Sequence, residues 1–470
     1  MLARLRPYVL LFIGLNVVYH ANLRPVDSGD SLGTSLIPLA IVLDHGITLD
    51  RFVPWLRGNV WYTPMVVRES HGHFYSTYPI GGALLVSPSY LPLAFLVRHW
   101  DPGALVALAR IAGKIVATAV TALSAVLLLV LLKRITTPSW AWCLTLVYAL
   151  ATETWSISSQ SLWQHGPGEL AIIGCFFCLE CWSANPERQL WLWLCGTSAA
   201  AAFVIRPTNL VLLPAAFVAL LVARAAPRQH LRLLAVPLLG GALLIGYNWQ
   251  VFHRLSGGYA VAVLNGSVVT GLLGLFLSPG RGLLIYTPVA LFALCAFLPR
   301  ASESRRLHNP LLVMAAVFIV LESLVISRSI AWWGGYCWGP RMLTELVPPL
   351  VILMALGASV MDPRWLRGAF AVLALYSMLI QAAGVFCYPK GHWDAAPRSV
   401  DNAPARLWEW RDNPIARTVA GGLYWEPYAI AGAVFTGGIP AAQRRLRELN
   451  VNPYEQARPT KLPPANPGLP

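Results

Sequence analysis

The sequence predicts an all-α membrane protein that crosses the bilayer many times. Of its 470 residues, 56% are hydrophobic and only 12% are charged, and the mean hydropathy is +0.57. Soluble domains carry about 25% charged residues. Tryptophan and tyrosine cluster near the ends of the apolar runs, as they do in the aromatic belts of membrane proteins. Low charge, long apolar runs and aromatic ends together indicate a polytopic chain.

Eleven apolar runs are candidates for membrane spans. They cover residues 8–22, 111–132, 138–155, 168–183, 189–205, 210–223, 233–251, 282–298, 310–327, 342–360 and 368–387. A weaker run at 78–97 contains Pro79, Pro88 and Pro92, and we expect it to be juxtamembrane or re-entrant. The N-terminal run could be a cleaved signal, but no small-x-small site follows it, so we expect a retained first span.

Basic residues between the runs predict the orientation. They fall at Arg4/Arg6, Lys133/Arg134, Arg188, Arg224/Arg228/Arg232, Arg300/Arg305/Arg306 and Arg364/Arg367. All of these clusters lie on one side if the run at 78–97 does not cross. This parity predicts 11 spans, an inside N-terminus, a cytoplasmic residue 300 and a periplasmic residue 400. Much of the net charge of +14 therefore sets orientation, and we expect no nucleic-acid partner.

The same parity predicts three regions. Residues 1–387 form a transmembrane domain whose first outer loop is 23–110 and carries juxtamembrane helices. Residues 388–450 form a periplasmic C-terminal segment, unless the moderately apolar "LYWEPYAIAGAVF" is a twelfth span. Residues 451–470 are rich in proline, which predicts a disordered tail.

Two patterns suggest a metal site but favour simpler explanations. Cys175, Cys178 and Cys181 form a CxxCxxC pattern inside an apolar run, where buried free cysteine behaves as a small hydrophobic residue. His71 and His73 fall in a polar stretch that is typical of a loop. The sequence therefore predicts no metal ligand set, although a divalent cation could be held beside the acids described next.

Two acids, Asp27 and Asp30, follow the first predicted span in "NLRPVDSGDSLG". "DSGD" is good turn chemistry, and Asp30 could be the N-cap of a helix. Alternatively, an acid at a helix start near Arg24 stays ionised and can take a proton from a hydroxyl. We expect Asp30 and Asp27 to be the catalytic residues, with Asp30 as the base and Asp27 assisting it.

Cations gather at the same predicted outer face. Arg110 and Lys114 are four residues apart and share one helix face, whereas Arg206, Arg281 and Arg341 lie where loops meet spans. Each could simply reach the lipid headgroups. Together they suit a phosphate, because guanidinium groups match phosphate oxygens. We expect all five to contact a phosphate.

Aromatic and amide side chains complete this face. The candidates for sugar or acceptor binding are Trp163, Gln164, His165, Trp333, Tyr336 and Trp338. Rings beside glycines resemble a wall on which a sugar stacks, but an aromatic belt at the membrane surface would look similar.

With these features the sequence resembles the GT-C membrane glycosyltransferases, in particular their protein-mannosyltransferase-like branch. The likeness rests on "SGDSLGTSLIPLAIVLDHGITLD", "SLWQHGP", "SPGRGLLIYTPV", "WWGGYCWGPRML" and "VDNAPARLWEWRD", segments similar to those of a bacterial subgroup without an assigned reaction. The resemblance implies a polyprenyl-phosphate sugar donor and an acid in the first outer loop that activates the acceptor hydroxyl, with inversion. Asp30 best matches that acid. Many relatives have adjacent acids, whereas "SG" separates the two acids here, so both Asp27 and Asp30 remain candidates for that acid.

The sequence thus favours a hexosyl- or pentosyltransferase in a bacterial inner membrane, facing the periplasm or exterior. Its acceptor would be a glycan, a lipid or a protein. The alternative is a transporter or flippase of a lipid-linked glycan, which should carry ionisable groups at mid-membrane and often shows repeats. The sequence has no evident repeat, and Glu153, Glu180 and Glu322 fall near the edges of runs.

Overall fold

The computed structural model describes residues 2–58, 66–258, 264–298 and 309–449. The described residues form the α-helices α1 Leu2–His20, α2 Gly29–Asp44, α3 Val53–Arg57, α4 Gly81–Val86, α5 Leu91–Val97, α6 Pro102–Ile135, α7 Pro138–Leu150, α8 His165–Ala184, α9 Leu190–Ile205, α10 Leu212–Val222, α11 Pro227–Phe252, α12 Val268–Leu277, α13 Leu283–Tyr286, α14 Pro310–Ser327, α15 Val347–Leu356, α16 Arg364–Phe386, α17 Pro414–Gly421 and α18 Glu426–Glu448. The helices α6, α8, α11, α14 and α16 are long and apolar enough to cross a membrane. The predicted all-α membrane class is confirmed, whereas the number of spans stays a prediction.

Every predicted apolar run contains helix, but some runs are broken. α14 coincides with the run at 310–327, whereas α7 ends at Leu150 and is followed by a π-helical turn, Thr154–Ser158. The run at 282–298 divides into α13 and a 3-10 helix, Pro288–Phe297. A proline lacks the backbone N–H that would continue a helix, so Pro288 begins a new one instead.

The run at 342–360 is also composite. It begins in the 3-10 helix Arg341–Leu346, continues through α15 and ends in the 3-10 helix Ala358–Met361. The first of these 3-10 helices begins with Arg341, which is one of the predicted site residues.

The described part of the segment between α1 and α6 contains helices and a hairpin. The run at 78–97 becomes α4, the 3-10 helix Ser87–Tyr90 and α5, as its prolines predict. The strands β1 Val67–Ser70 and β2 His73–Ser76 pair antiparallel, with Val67 opposite Ser76. This hairpin was not predicted from the sequence.

α6 is longer than its predicted run. Asp101 caps it by accepting hydrogen bonds from the backbone N–H groups of Gly103 (2.9 Å) and Ala104 (3.1 Å). At 1.5 Å per residue, its 34 residues span about 50 Å, more than the roughly 30 Å hydrocarbon layer. The early start places Arg110 and Lys114 inside the helix.

Two large apolar clusters form the core. One joins α1, α6 to α10 and α14 to α16. The other lies under α2 to α5 and packs them on the first part of α6. A smaller cluster of Val26, Trp163, Trp338 and Tyr388 joins the segment after α1 to the C-terminal region.

The C-terminal segment packs back on the helices. Asp394 pairs with Arg281, and the Tyr428 hydroxyl donates to the Ala21 carbonyl at 2.8 Å. The boundary at 387/388 stays a prediction. The predicted tail at 451–470 and the cluster Arg300/Arg305/Arg306 lie outside the described residues.

Candidate functional site

Six of the predicted site residues line one cleft. The lining residues are Asp30, Trp163, Gln164, His165, Arg206, Arg341 and Met342. The cleft encloses about 260 Å³, including space that is open to solvent. Of these residues, the sequence analysis did not single out Met342.

Asp30 is placed by the start of α2. Ser28 caps this helix, because its side chain accepts from the Asp30 backbone N–H at 3.3 Å while its own N–H donates to Ser31 Oγ at 3.0 Å. Such a reciprocal cap fixes the first turn. Asp30 is therefore not the cap, and its carboxylate reaches the cleft.

The Asp30 carboxylate has two strong partners. Arg341 Nη1 donates to Oδ2 at 2.6 Å, and the Tyr78 hydroxyl donates to Oδ1 at 2.7 Å. Burial alone would raise the pKa of this carboxyl, but the Arg341 charge and the Tyr78 hydrogen bond outweigh burial and hold the pKa below its ordinary value. The expectation that Arg24 keeps Asp30 ionised needs correction, because Arg341 and Tyr78 are the groups that do so.

Arg341 is held in place by three contacts. Besides Asp30, it donates through Nη2 to the Gly334 carbonyl at 2.6 Å, and its guanidinium lies 4.6 Å from the centre of the Trp163 ring. Gly334 has φ +75°, and a Cβ there would lie 3.0 Å from Met342 Cγ. A left-handed backbone in so narrow a space requires glycine.

A buried acid contacts two of the residues that line the cleft. Glu345 accepts from His165 Nδ1 at 2.9 Å and pairs with Arg206 Nη1. His165 begins α8, and Arg206 lies between α9 and the 3-10 helix Pro207–Val211. Glu345 was not predicted. The available signal was an acid inside an apolar run, which is costly unless paired.

Asp27 lies close by in a separate pair. Arg110 contacts both of its carboxylate oxygens, through Nε at 2.5 Å and Nη2 at 3.0 Å. Both side chains are buried, with 3% of Asp27 and 8% of Arg110 exposed. One turn along α6, Lys114 donates to Gln160 Oε1 at 2.7 Å. Both oxygens of Asp27 are thus held by one buried partner, whereas the side chain of Asp30 is more exposed.

The remaining predicted residues gather around Arg281, outside the lining of the cleft. Arg281 pairs with Asp394, whose other oxygen accepts from the Tyr388 hydroxyl at 2.8 Å. Trp338 is 1% exposed and packs edge-on to Tyr286 at 5.4 Å.

Trp333 and Tyr336 lie in the same region. The indole of Trp333 donates to Asp401 at 2.8 Å, while Tyr336 is half-buried. Asp394 and Asp401 were not predicted, because a C-terminal segment carries no sequence signal for the loop on which it docks.

The histidines and cysteines form no ligand set in the described part of the chain, where no three His, Cys, Asp and Glu side chains gather closely enough to hold a metal ion. His73 Nδ1 lies 2.7 Å from Asp50 Oδ2, and His71 stacks edge-on to His253 at 5.0 Å. The three cysteines of the CxxCxxC pattern are free and buried on α8.

The cleft combines three chemical capacities. The ionised Asp30 carboxylate can accept a proton, Arg341 can bind an anion through its planar fork, and the Trp163 ring offers a flat apolar face. Carboxylate and guanidinium meet in a space that solvent reaches, since 28% of the Asp30 side chain is exposed.

Comparisons with known proteins identify the fold. No protein-family model and no curated protein matches the chain. Among solved structures, it is similar to ArnT from Cupriavidus metallidurans bound to undecaprenyl phosphate, with 12% identity and a TM-score of 0.52, over 96% of this chain and 76% of that chain. An apo structure of the same ArnT gives 13% identity and a TM-score of 0.49, over 95% and 73%. The first of these similarities shows that the chain has the GT-C fold.

Proposed function

We propose that this GT-C-fold membrane protein is a glycosyltransferase that moves one sugar from a polyprenyl-phosphate carrier to an acceptor hydroxyl in the Asp30 cleft. One observation carries the proposal: Arg341 contacts both Asp30 and Trp163, and all three residues line a single cleft. The fold is shared with an ArnT that binds undecaprenyl phosphate, which supports the carrier class.

In the proposed reaction, Asp30 takes the proton of the acceptor hydroxyl as its oxygen attacks the anomeric carbon. The bond from that carbon to the phosphate oxygen breaks, and the configuration inverts. The departing phosphate needs positive charge and no proton. Arg341 supplies that charge, with Arg206 beside it at the cleft wall.

The ion pair between Asp30 and Arg341 fits a resting state. A donor phosphate would draw the guanidinium toward itself. Asp30 would then keep its Tyr78 hydrogen bond but lose part of the positive field, so its carboxylate would become more basic as the substrate arrives. Trp163, against which Arg341 stacks, would then be open to the sugar ring.

The roles of the other predicted residues follow from their surroundings. Gln164 and His165 face the cleft and would bind sugar or acceptor hydroxyls. Arg110 and Arg281 would act on the donor indirectly, because each already pairs with a buried aspartate. We place the protein in a bacterial inner membrane with the cleft facing the periplasm, as the basic loops indicate.

A transporter gains no support from the fold. Glu153 and Glu322 are fully buried, as a transporter would require, but Glu153 already accepts from Thr287 at 2.6 Å and Gln381 at 3.2 Å. These partners hold it within the packing between helices.

The experiment compares Asp30→Asn with Asp44→Asn, an acid at the other end of α2 that pairs with Arg51. Purified protein would be given hexosyl- and pentosyl-phosphoundecaprenol donors with membrane extract as acceptor. Asparagine keeps the shape and loses the basicity, so Asp30→Asn should lose about 10²–10⁴-fold in transfer. Donor binding should remain, and the protein should stay folded with a modest loss of thermal stability, because the variant loses the charge that pairs with Arg341. Wild-type transfer by Asp30→Asn would refute Asp30 as the base.

A further inference from the structure

Buried cations divide into two groups in the described part of the chain. The buried Lys and Arg side chains are Arg24, Arg110, Lys114, Arg206, Arg281, Arg341 and Arg406. Five of them pair with a carboxylate: Arg110 with Asp27, Arg206 with Glu345, Arg281 with Asp394, Arg341 with Asp30 and Arg406 with Asp412. Arg24 and Lys114 form no ion pair with any described residue.

These two cations belong to one polar cluster. Asn22 and Lys114 both donate to Gln160 Oε1, at 2.8 Å and 2.7 Å. Asn22 and Arg24 both donate to the Val385 carbonyl, at 3.3 Å and 3.4 Å. Arg24 and Lys114 therefore sit at the two ends of a short hydrogen-bonded chain.

The cluster has too few hydrogen-bond acceptors for its donors among the described residues. Arg24 Nε and Nη1 are buried without a hydrogen-bond partner among the described residues, although Nη2 reaches the Tyr388 carbonyl. Only 6% of Arg24 and 4% of Lys114 is exposed. The charge of Asp27 acts on Arg24, but Asp27 is already the ion-pair partner of Arg110. One carboxylate cannot compensate three buried cations, and buried charges without compensation destabilise a fold.

We propose that Arg24 and Lys114 bind the phosphate of a membrane lipid. A guanidinium and an ammonium group supply the donors that phosphate oxygens require. The helices next to both cations in the chain carry exposed apolar side chains. Val17 is 67% exposed on α1, which ends shortly before Arg24, and Ile111 and Ile115 are each 54% exposed on α6, the helix of Lys114. A buried charged site beside lipid-facing surface suits a charged head with an apolar tail.

The site is separate from the Asp30 cleft, whose lining contains neither cation. Its outer wall includes Tyr424, whose ring centre lies 4.2 Å from the Arg24 guanidinium. Tyr424 belongs to the connection between α17 and α18, so a short segment covers the site. The lipid could be a second polyprenyl phosphate or an ordinary phospholipid, and both present the same phosphate.

The test is lipid binding, which needs no transfer activity. Purified full-length protein would be titrated with undecaprenyl phosphate and, separately, with phosphatidylglycerol, and bound lipids would be counted by native mass spectrometry. The Arg24→Gln/Lys114→Gln variant is compared with Lys133→Gln, a cation at the far end of α6 that contacts Tyr8 and Trp142.

We expect the double variant to bind one phosphate lipid fewer, or to bind it at least tenfold more weakly, and Lys133→Gln to match the wild type. The lipid whose binding changes identifies the source. Equal binding of both lipids by the double variant and the wild type would overturn the site. If the double variant does not fold, Lys114→Gln against Lys114→Arg gives the same contrast, with binding expected only in the arginine variant.

The result is independent of the transfer reaction. Asp30→Asn should bind this lipid like the wild type, because Asp30 contacts neither cation. If Asp30 proves not to be the base, the proposal of the lipid site is therefore unaffected. If the lipid site is refuted, the proposal that Asp30 is the base is unaffected.

Discussion

Two aspartate–arginine pairs in this protein share a local design and differ in access. Arg341 pairs with Asp30 and donates to the Gly334 carbonyl, whereas Arg281 pairs with Asp394 and donates to the Gly335 carbonyl. The first pair leaves 28% of its aspartate exposed. The second leaves 6% of its aspartate and 1% of its arginine exposed.

The difference shows how access separates chemistry from architecture. A carboxylate that solvent reaches can exchange its partner for a substrate. A sealed pair cannot do so without opening the fold, and Arg281 with Asp394 instead ties the C-terminal segment to the loop after α12. The sequence places both arginines in one phosphate-binding set, because residue type and loop position are the same for each.

The largest expected effect is on the sealed pair. Arg281→Gln leaves a buried carboxylate without its counter-charge, which should cost about 3–5 kcal/mol of unfolding free energy. Thermal and denaturant unfolding, followed by tryptophan fluorescence in detergent, would measure the loss.

Two comparisons accompany this variant. Arg367→Gln breaks an exposed pair with Asp362, in which 56% and 62% of the two side chains are exposed, and should cost at most about 1 kcal/mol. Adding Asp394→Asn to Arg281→Gln removes both charges and should restore part of the stability. Equal stability of the two single variants would show that the Arg281 pair is not sealed in solution.

A change to the solvent-accessible pair of Asp30 and Arg341 should instead weaken donor binding. Arg341→Gln removes a charge-assisted contact to the donor phosphate, worth roughly 1.5–3 kcal/mol, or about ten- to a hundredfold in affinity. Its unfolding free energy should fall less than that of Arg281→Gln, because Asp30 keeps Tyr78 and gains water. Titration with undecaprenyl phosphate would measure the affinity.

Arg341→Lys sharpens this test. Lysine keeps the charge but loses the planar fork, so it should bind the donor between wild type and Arg341→Gln. Unchanged donor affinity in both variants would return Arg341 to a structural role.

The paired glycines allow a smaller and closely matched comparison. Gly334 and Gly335 have φ of +75° and +68°, so alanine at either position should cost roughly 1–2 kcal/mol. A Cβ at Gly334 would also lie 3.3 Å from Arg341 Nε, whereas a Cβ at Gly335 would meet nothing nearer than Asp401 Oδ1 at 3.9 Å. Gly334→Ala should therefore weaken donor binding as well as stability, and Gly335→Ala only stability. Equal donor affinity in the two variants would contradict this.

The fold could be predicted further than the site. Composition and apolar runs predict an all-α membrane protein, and α14 falls on its predicted run. The 3-10 and π-helical breaks were not predicted, since they depend on packing between helices and hydropathy does not report packing. The β1–β2 hairpin was missed because its strands are only four residues long.

The site divides in a similar way. Asp30, Arg341 and Trp163 could be selected because each is a polar or aromatic residue in a segment between apolar runs that was predicted to lie at the outer face. Their pairing could not, because Asp30 and Arg341 are 311 positions apart in sequence. Tyr78 was not selected for the same reason, since its role depends on the fold that brings it to Asp30.

The smallest expected effect concerns Tyr78 and the pH dependence of the solvent-accessible pair. The pKa of Asp30 lies below its ordinary value, so the carboxylate is charged at neutral pH and the transfer rate should fall only as the pH drops through that low pKa. The Tyr78 hydroxyl donates to the charged form, and its removal in Tyr78→Phe therefore raises the pKa of Asp30. The acid limb of kcat/KM should move to higher pH while the rate at neutral pH changes little. The stability that the ionised Asp30 contributes is present above the pKa of the unfolded chain and is lost as the pH falls. This contribution should be smaller in the variant, because the variant lacks one hydrogen bond to the charged form. Tyr75→Phe, on β2 three residues before Tyr78 and packed on Phe252, is the control and should leave the limb in place. A limb that does not move in Tyr78→Phe would mean that Asp30 is not the group whose ionisation limits transfer.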